Sequence, residues 1–314
     1  MKALVLGAGG FIGSHLVKSL KEEGYEVRGV DLKYPEHWDT AADEFVIGDL
    51  RDRRIVDEVL DEPYDEVYQL AADMGGAGYI FTGESDADIM HNSATINLNV
   101  LDRAKDIGVK SIFYSSSACM YPAYNQENPS DFTCEETSAY PADPDSEYGW
   151  EKLFSERLYL AYNRNYGMSN VIARYHNIFG PYGTWQGGKE KAPAAICRKV
   201  AMATDEIEIW GDGEQLRSFL YIDECIKFTK LLYRNRVNQP VNIGSTETVS
   251  INRLADYVMQ IAGKELTKKY VEGPTGVRAR TSHNELIKSY LGQAPREFLY
   301  AGLEETYKWI ESQI

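Results

Sequence analysis

The sequence predicts an α/β protein: a doubly wound parallel sheet with a smaller substrate domain interleaved toward the C-terminus. Three observations predict it. The chain opens on a short aliphatic strand, Lys2 to Leu6, that runs through a glycine-rich turn into a helical pattern. Apolar runs of strand length then alternate with amphipathic helical runs as far as Val171–Tyr175, as in parallel βαβ units. After Tyr175 the texture changes to glycine- and aromatic-rich loops, short strands and later helices.

Composition narrows the function classes. With 314 residues, 43% of them apolar, the chain can bury a large core in one or two domains. Its 33 basic and 48 acidic residues give a net charge of −15. Such a surface repels nucleic acid and anionic membranes, so no nucleic-acid partner is expected, and an anionic ligand needs a local cluster of Arg and Lys. Cys119, Cys134, Cys197 and Cys225 form no C-x-x-C pair, which excludes a disulfide framework and fits a reducing cytoplasm. The histidines His15, His37, His91, His176 and His283 lack ligand spacing, so no metal is expected. Met1 leads straight into a strand without a signal-peptide pattern, and no apolar run approaches the ~20 residues that span a bilayer. A cytoplasmic protein without membrane association is expected.

The first strand ends in Gly7-Ala8-Gly9-Gly10-Phe11-Ile12-Gly13, and a helical pattern follows from Ser14 to Glu23. Glycines alone also occur in ordinary turns, but strand, glycines and helix in this order make a Rossmann-type dinucleotide fingerprint. Gly7 allows the tight turn, Gly10 admits a pyrophosphate, and Gly13 lets helix and strand pack closely. Phe11 and Ile12 sit in the same turn, at the positive end of the helix dipole. The second strand, Glu26 to Val30, leads to Asp31, a carboxylate roughly 20 residues past the glycines. It can accept from ribose hydroxyls and would repel a 2′-phosphate, which favours NAD over NADP. Phe45 to Leu50 reads as the third strand, where Asp49 can bond the adenine amino group beside Leu50. Glu66 to Ala72 reads as the fourth. It carries Ala71 as a further cofactor contact and opens into Asp73-Met74-Gly75-Gly76-Ala77-Gly78, small residues that let a ligand lie on the backbone.

Ala94 to Ile107 reads as a helix, and Ser111 to Tyr114 as the next strand, which ends in Ser115-Ser116-Ser117-Ala118-Cys119-Met120-Tyr121-Pro122. Ligands of open α/β sheets bind outside the carboxyl ends of strands, so three hydroxyls and a thiol stand where a ligand would. Residues 121–147 read as an irregular loop. A helix from Tyr148 to Tyr166 puts Tyr148 and Lys152 on one face. Val171–Tyr175 and Val241–Gly244 complete the sheet. The expected division is residues 1–175 with about 218–245 for the dinucleotide-binding domain, and about 176–217 with 246–314 for the substrate domain.

Ser117, Tyr148 and Lys152 make chemical sense together. The Lys ammonium, with a nicotinamide cation, is expected to lower the Tyr phenol from its usual value near 10, so that it takes a hydroxyl proton while hydride leaves. Ser117 would hold that hydroxyl. Tyr-x-x-x-Lys also arises by chance on exposed helices, but here it follows the fingerprint, Asp31 and the serine-rich strand end. Cys119 has two readings: a small buried hydrophobe, the usual fate of a free thiol, or a base at a strand end.

Several stretches taken together resemble a known group. They are Leu70-Ala71-Ala72-Asp73-Met74-Gly75-Gly76, the Ser116–Pro122 segment and Tyr175-His176-Asn177-Ile178-Phe179-Gly180-Pro181. To these add Trp185-Gln186-Gly187-Gly188-Lys189-Glu190-Lys191-Ala192-Pro193, Trp210-Gly211-Asp212-Gly213, Arg217-Ser218-Phe219 and Gly276-Val277-Arg278-Ala279-Arg280. The chain resembles the extended short-chain dehydrogenase/reductases acting on sugar nucleotides, and within them the GDP-mannose 3,5-epimerase family, over nearly its whole length. The resemblance implies that NAD oxidises C4 of the hexose transiently. The hydrogens at C3 and C5 then become removable, with Cys119 as base and Lys191 as acid. The products would be GDP-L-galactose and, from inversion at C5 alone, GDP-L-gulose. The resemblance also implies substrate contacts from Gly75, Ser117, Asn177, Glu190, Lys191, Ala192 and Lys199. Gln215, Arg217 and Arg280 would hold the nucleotide end and diphosphate. It implies a homodimer through helices matching Ala94–Ile107 and Tyr148–Tyr166, and structural roles for the other thiols. Gln186 departs from the pattern, where members commonly carry Lys.

Rival readings fit less well. Sugar-nucleotide 4,6-dehydratases carry an Asp-Glu pair where Ala118-Cys119 stands. The GDP-fucose synthase type shares the Ser-Cys strand end but uses a His acid and NADP, against Lys191 and Asp31 here. A non-catalytic NAD-sensing module would lack a catalytic group, and none is missing.

Overall fold

The computed structural model describes residues 1–128, 130 and 133–314. Its central sheet has seven strands: β1 Lys2–Leu6, β2 Glu26–Asp31, β3 Glu44–Ile47, β4 Glu66–Gln69, β5 Phe113–Ser117, β6 Val171–Tyr175 and β7 Val241–Ile243. They pair in the order β3-β2-β1-β4-β5-β6-β7, and every pair is parallel. The order reverses between β1 and β4, the topological switch point where such sheets open a crevice. Both faces are covered, as a parallel sheet requires. Ala3, Val5, Tyr68 and Phe113 face helices Phe11–Glu22 and Ile222–Arg234, whereas Leu4, Leu6, Val67 and Tyr114 face helices Asp86–Asp106 and Glu147–Tyr166.

Element bounds differ from the sequence reading in instructive places. The strand expected to end at Tyr114 runs on through Ser117, because β6 offers ladder partners as far as Tyr175. The serine hydroxyls are therefore strand side chains. Ser115 donates to the Gln69 carbonyl (3.3 Å) and Ser116 to Glu156 (2.5 Å). The helix expected from Ala94 begins at Asp86, where Asp86 and Asp88 complement the dipole of a first turn with little apolar periodicity. The third strand stops at Ile47, short of Asp49 and Leu50.

The second lobe is built on a four-stranded sheet in the order Thr248–Ser250, Leu216–Ser218, Ala279–Ser282, Thr133–Cys134. Helices Ala192–Met202, Ile251–Ala262 and Leu299–Glu311 pack together beneath it. Glu206–Trp210 pairs with Thr267–Val271, a strand whose sequence TKKYV is too polar to stand out. The interleaving expected from the sequence has a physical form here. The chain leaves the central sheet after β6 and returns for β7, and Thr133–Cys134, between β5 and β6, crosses to the second lobe. The 121–147 loop is otherwise short 3₁₀ turns, and its residues 129, 131 and 132 lie outside the described residues. Among the described residues no helix is long and apolar enough to cross a membrane.

A buried ion pair ties the sheet to the helix beside the cleft. Arg174 on β6 grips Glu156 on helix Glu147–Tyr166 through two bonds, Nε to Oε1 at 2.9 Å and Nη2 to Oε2 at 2.8 Å. Arg174 also donates to Tyr121, which donates to Asn242 on β7. Removing one partner of such a pair strands a buried charge. Glu156→Ala should lower unfolding free energy in urea by about 3–5 kcal/mol; a loss under about 1 kcal/mol would show that the pair is not structurally important.

Candidate active site

The site is assembled where helix Glu147–Tyr166 meets the end of β5. Ser146 caps the helix, accepting from Gly149 N at 3.3 Å. The helix then lies so close to the strand end that a Cβ on Gly149 would sit 2.2 Å from the Cys119 carbonyl oxygen. That contact places Tyr148 on the same cleft wall as Ser117. Ser117 Oγ also accepts from Cys119 N at 3.2 Å, which fixes the turn carrying the thiol. Lys152, one turn on, donates to the Ser115 carbonyl at 3.0 Å, with its ammonium 5.6 Å from the centre of the Tyr148 ring.

The expected lowering of the Tyr148 phenol by Lys152 is not what the protein alone produces. Burial pushes the phenol up, the nearby Cys119 adds to this, and the Ser117 hydrogen bond opposes it. Burial likewise pushes Lys152 down, against the neighbouring Glu151 and Glu156 carboxylates. Both groups are stripped of water, which disfavours the charged form of each. A cationic ring bound next to Tyr148 would supply the missing stabilisation of a phenolate.

The glycine turn fits a dinucleotide. Gly7 adopts φ +88°, and a Cβ on Gly13 would strike the Gly7 carbonyl at 2.0 Å, so helix Phe11–Glu22 can dock only without one. No side chain caps that helix at Gly10, which leaves the N-terminal amides, including those of Phe11 and Ile12, for phosphate oxygens. Asp31 Oδ2 accepts from Gly9 N at 3.0 Å, a contact absent from the sequence reading although Gly9 lies in the fingerprint. Asp49 pairs with Arg51 at 2.6 Å, Leu50 is buried beside it, and Ala71 N donates to Gln69.

Every residue expected to touch substrate lines one cleft, together with Cys119 and Tyr148. Gly75 lies on the loop after β4, Asn177 after β6, Glu190, Lys191 and Ala192 at the start of helix Ala192–Met202, and Lys199 in its last turn. Arg217 and Arg280 come from the second sheet, and Gln215 directly precedes the strand that carries Arg217. Lys152 stands behind Tyr148, outside the lining. The charges are unbalanced. Glu190 is paired with Arg198 (2.9 Å) and Arg280 with Asp145 (3.0 Å). Among the described residues, Lys191, Lys199 and Arg217 have no carboxylate within ion-pair distance. Burial pushes both lysines down, opposed at Lys191 by the Cys119 and Cys225 thiols and at Lys199 by Glu208 and Glu190. Burial first, and Arg280 second, pull Arg217 down to about 9. A cleft with unpaired, half-desolvated cations in a protein of charge −15 is built for an anion.

Polar groups point the same way. Gln215 Nε2 donates to the Trp210 carbonyl at 3.1 Å, while its buried Oε1 has no partner. Lys199 donates to the Glu208 carbonyl at 2.7 Å and lies over the Trp210 ring. Arg217 donates to the carbonyls of Leu216, Thr275 and Val277, holding the 274–277 loop at the cleft. Arg280 also reaches the strand end: its guanidinium contacts the Cys119 sulfur at 3.2 Å. Phe81, Arg198, Trp210 and the 274–277 loop line the cleft and were missed, because only folding brings them there.

Comparison with known proteins places this geometry. A model of the NAD dependent epimerase/dehydratase family matches residues 3–244. The chain belongs to that family. It is 46% identical to the GDP-mannose 3,5-epimerase of Arabidopsis thaliana over 100% of this chain and 83% of that protein. It is 45% identical to GDP-mannose 3,5-epimerase 1 of Oryza sativa subsp. indica, over 100% and 82%. A GDP-L-fucose synthase of Sinorhizobium fredii is 26% identical over 99% and 95%. Among solved structures, the UDP-glucose 4-epimerase of Thermotoga maritima with UDP-glucose superposes with TM-score 0.88 at 27% identity, over 100% of this chain and 99% of that one. The family's cofactor is NAD, and the glycine turn and Asp31 suit it.

Beside the cleft, His176 is fully buried, with Nε2 against Asn242 Oδ1 at 3.0 Å, and burial pushes it down to about 3. Its folded pKa lies below the ordinary 6.5, so the unfolded chain binds the extra proton and stability is lost as pH falls from 6.5 toward 3. Between about pH 6 and 4, the unfolding free energy of His176→Gln should fall by about 1.4 kcal/mol per pH unit less than that of the native chain. Parallel slopes would mean that His176 is already protonated in the folded state.

Proposed function

We propose that this protein uses NAD to epimerise GDP-mannose at C3 and C5 through a transient 4-keto sugar, giving GDP-L-galactose and GDP-L-gulose. One observation carries the reading. A thiol, Cys119, and an ammonium, Lys191, line the same cleft as Ser117 and Tyr148. The names borne by the relatives at 45% and 46% identity support the substrate.

The chain's residues divide the work. Gly7 to Gly13, Asp31, Asp49, Leu50 and Ala71 would hold NAD, which accepts hydride from C4 and later returns it. Ser117 and Tyr148 hold the C4 hydroxyl, and Tyr148 receives its proton. Lys152 fixes this end of the site through the Ser115 carbonyl. With C4 a ketone, the hydrogens at C3 and C5 become acidic. The Cys119 thiolate removes a proton from one face of the sugar, and the Lys191 ammonium delivers one to the other. A lysine held down by burial gives up its proton readily, which suits an acid working near neutrality. Arg217, Lys199 and the free Gln215 oxygen would bind the diphosphate and nucleotide.

Incubation with GDP-mannose, followed by proton NMR, should show the two L-sugar nucleotides with no net accumulation of NADH. No new sugar signals, or steady NADH formation, would refute the reading. Lys191→Met should lower turnover by at least about 10²-fold and leave GDP affinity within about threefold. Equal losses of both would make Lys191 a binding group.

We also infer a cytoplasmic homodimer. Leu98 on helix Asp86–Asp106, and Trp150 and Phe154 on helix Glu147–Tyr166, are 45%, 40% and 46% exposed, and the two helices pack side by side. Joining two such faces would cover these side chains. Sedimentation should give a dimer that Phe154→Glu converts to monomer. A native monomer would refute it.

A further inference from the structure

Arg280 sits on strand Ala279–Ser282 with 4% of its surface exposed. All three guanidinium nitrogens have partners. Nε donates to Gln126 Oε1, Nη2 to Asp145 Oδ2 at 3.0 Å, and Nη1 to Cys119 Sγ at 3.2 Å. Two of those partners are themselves anchored. Gln126 is fully buried and donates to the carbonyls of Tyr121 and Pro122 (3.1 and 2.9 Å). Asp145 is adjacent to Ser146, the cap of the helix that carries Tyr148. A planar fork clamped on two sides presents its third edge in a fixed direction. That edge meets sulfur. A guanidinium only donates, so the contact is strongest when the sulfur is the anionic acceptor.

We propose that Arg280 is a positioning residue that orients the Cys119 sulfur, leaving the diphosphate to Arg217 and Lys199. The proposal rests on the reading of Cys119 as the base. It separates two arginines that are direct neighbours in the second sheet, where Arg217 and Arg280 are register partners. Arg280 has its carboxylate, Asp145, whereas Arg217 donates only to backbone carbonyls and has its charge unmatched. An incoming anion gains most at the unmatched charge. Lys191, Arg217 and Tyr148 are the other titratable groups of the cleft lining near the thiol. Among the described residues, the hydrogen bond to the sulfur comes from Arg280.

The NAD-loaded protein, without sugar, is treated with iodoacetamide near neutral pH, and alkylation of the Cys119 peptide is followed by mass spectrometry. Arg280→Gln should slow alkylation by about tenfold. Arg280→Lys keeps the charge but cannot make three directed bonds, and should slow it by about threefold. In turnover of GDP-mannose, Arg280→Gln should lower kcat by at least about tenfold with KM within about threefold, whereas Arg217→Gln should chiefly raise KM. Wild-type alkylation rates in both Arg280 variants, or a KM rise with kcat retained in Arg280→Gln, would overturn the proposal and make Arg280 a substrate clamp. If Arg280→Gln fails to fold by circular dichroism, the Arg280→Lys rate decides. If the native protein does not turn over GDP-mannose, the functional reading fails, and alkylation alone still tests the contact.

Discussion

The close seam between helix Glu147–Tyr166 and the end of β5 is the constraint on which the rest depends. Without a side chain at Gly149, the helix backbone approaches the Cys119 carbonyl closely enough to set Tyr148 against Ser117. The same seam leaves Lys152 reaching back to the Ser115 carbonyl rather than out to solvent. Glu156, two turns further along that helix, takes both Ser116 and Arg174. One line of contacts thus fixes hydroxyl, phenol, ammonium and thiol relative to the sheet. The second lobe reaches the same point from outside, through Arg280.

Desolvation is the second physical theme. Burial pushes Tyr148 up and Lys152 and Lys191 down, so the charged form of each is disfavoured in the protein alone. Ligand charge offsets this: a cationic ring favours the phenolate, and a diphosphate favours the charged Lys199 and Arg217. Binding both ligands therefore favours the charged forms that the chemistry uses. This couples binding to catalysis without any moving part.

Much of this was legible in the sequence, because the informative residues lie at strand ends and in a turn with a fixed geometry. The glycine fingerprint, Asp31 and the Ser-Cys strand end announce themselves by position, and the expected substrate residues all reach one cleft. What was hidden depends on pairing between distant segments. No local signal links Arg280 to Asp145, Gln126 and Cys119, which lie up to 161 residues away. Resemblance places that arginine at the diphosphate, and only the geometry reveals its contact with the sulfur. Arg198 and Trp210 were missed for the same reason. The upward shift of Tyr148 in the protein alone was hidden too, because a sequence shows a lysine four residues away but not how thoroughly both groups are buried.

The central claim is that Cys119 removes protons next to a ketone made at C4. It is tested most directly by deuterium incorporation from heavy water into GDP-mannose, compared between the native protein and Cys119→Ala. The account predicts label at both C3 and C5 with the native protein. It predicts none with Cys119→Ala, even though a small amount of NADH still forms in that variant. Label at native rates in Cys119→Ala would contradict the account and assign the base elsewhere in the cleft.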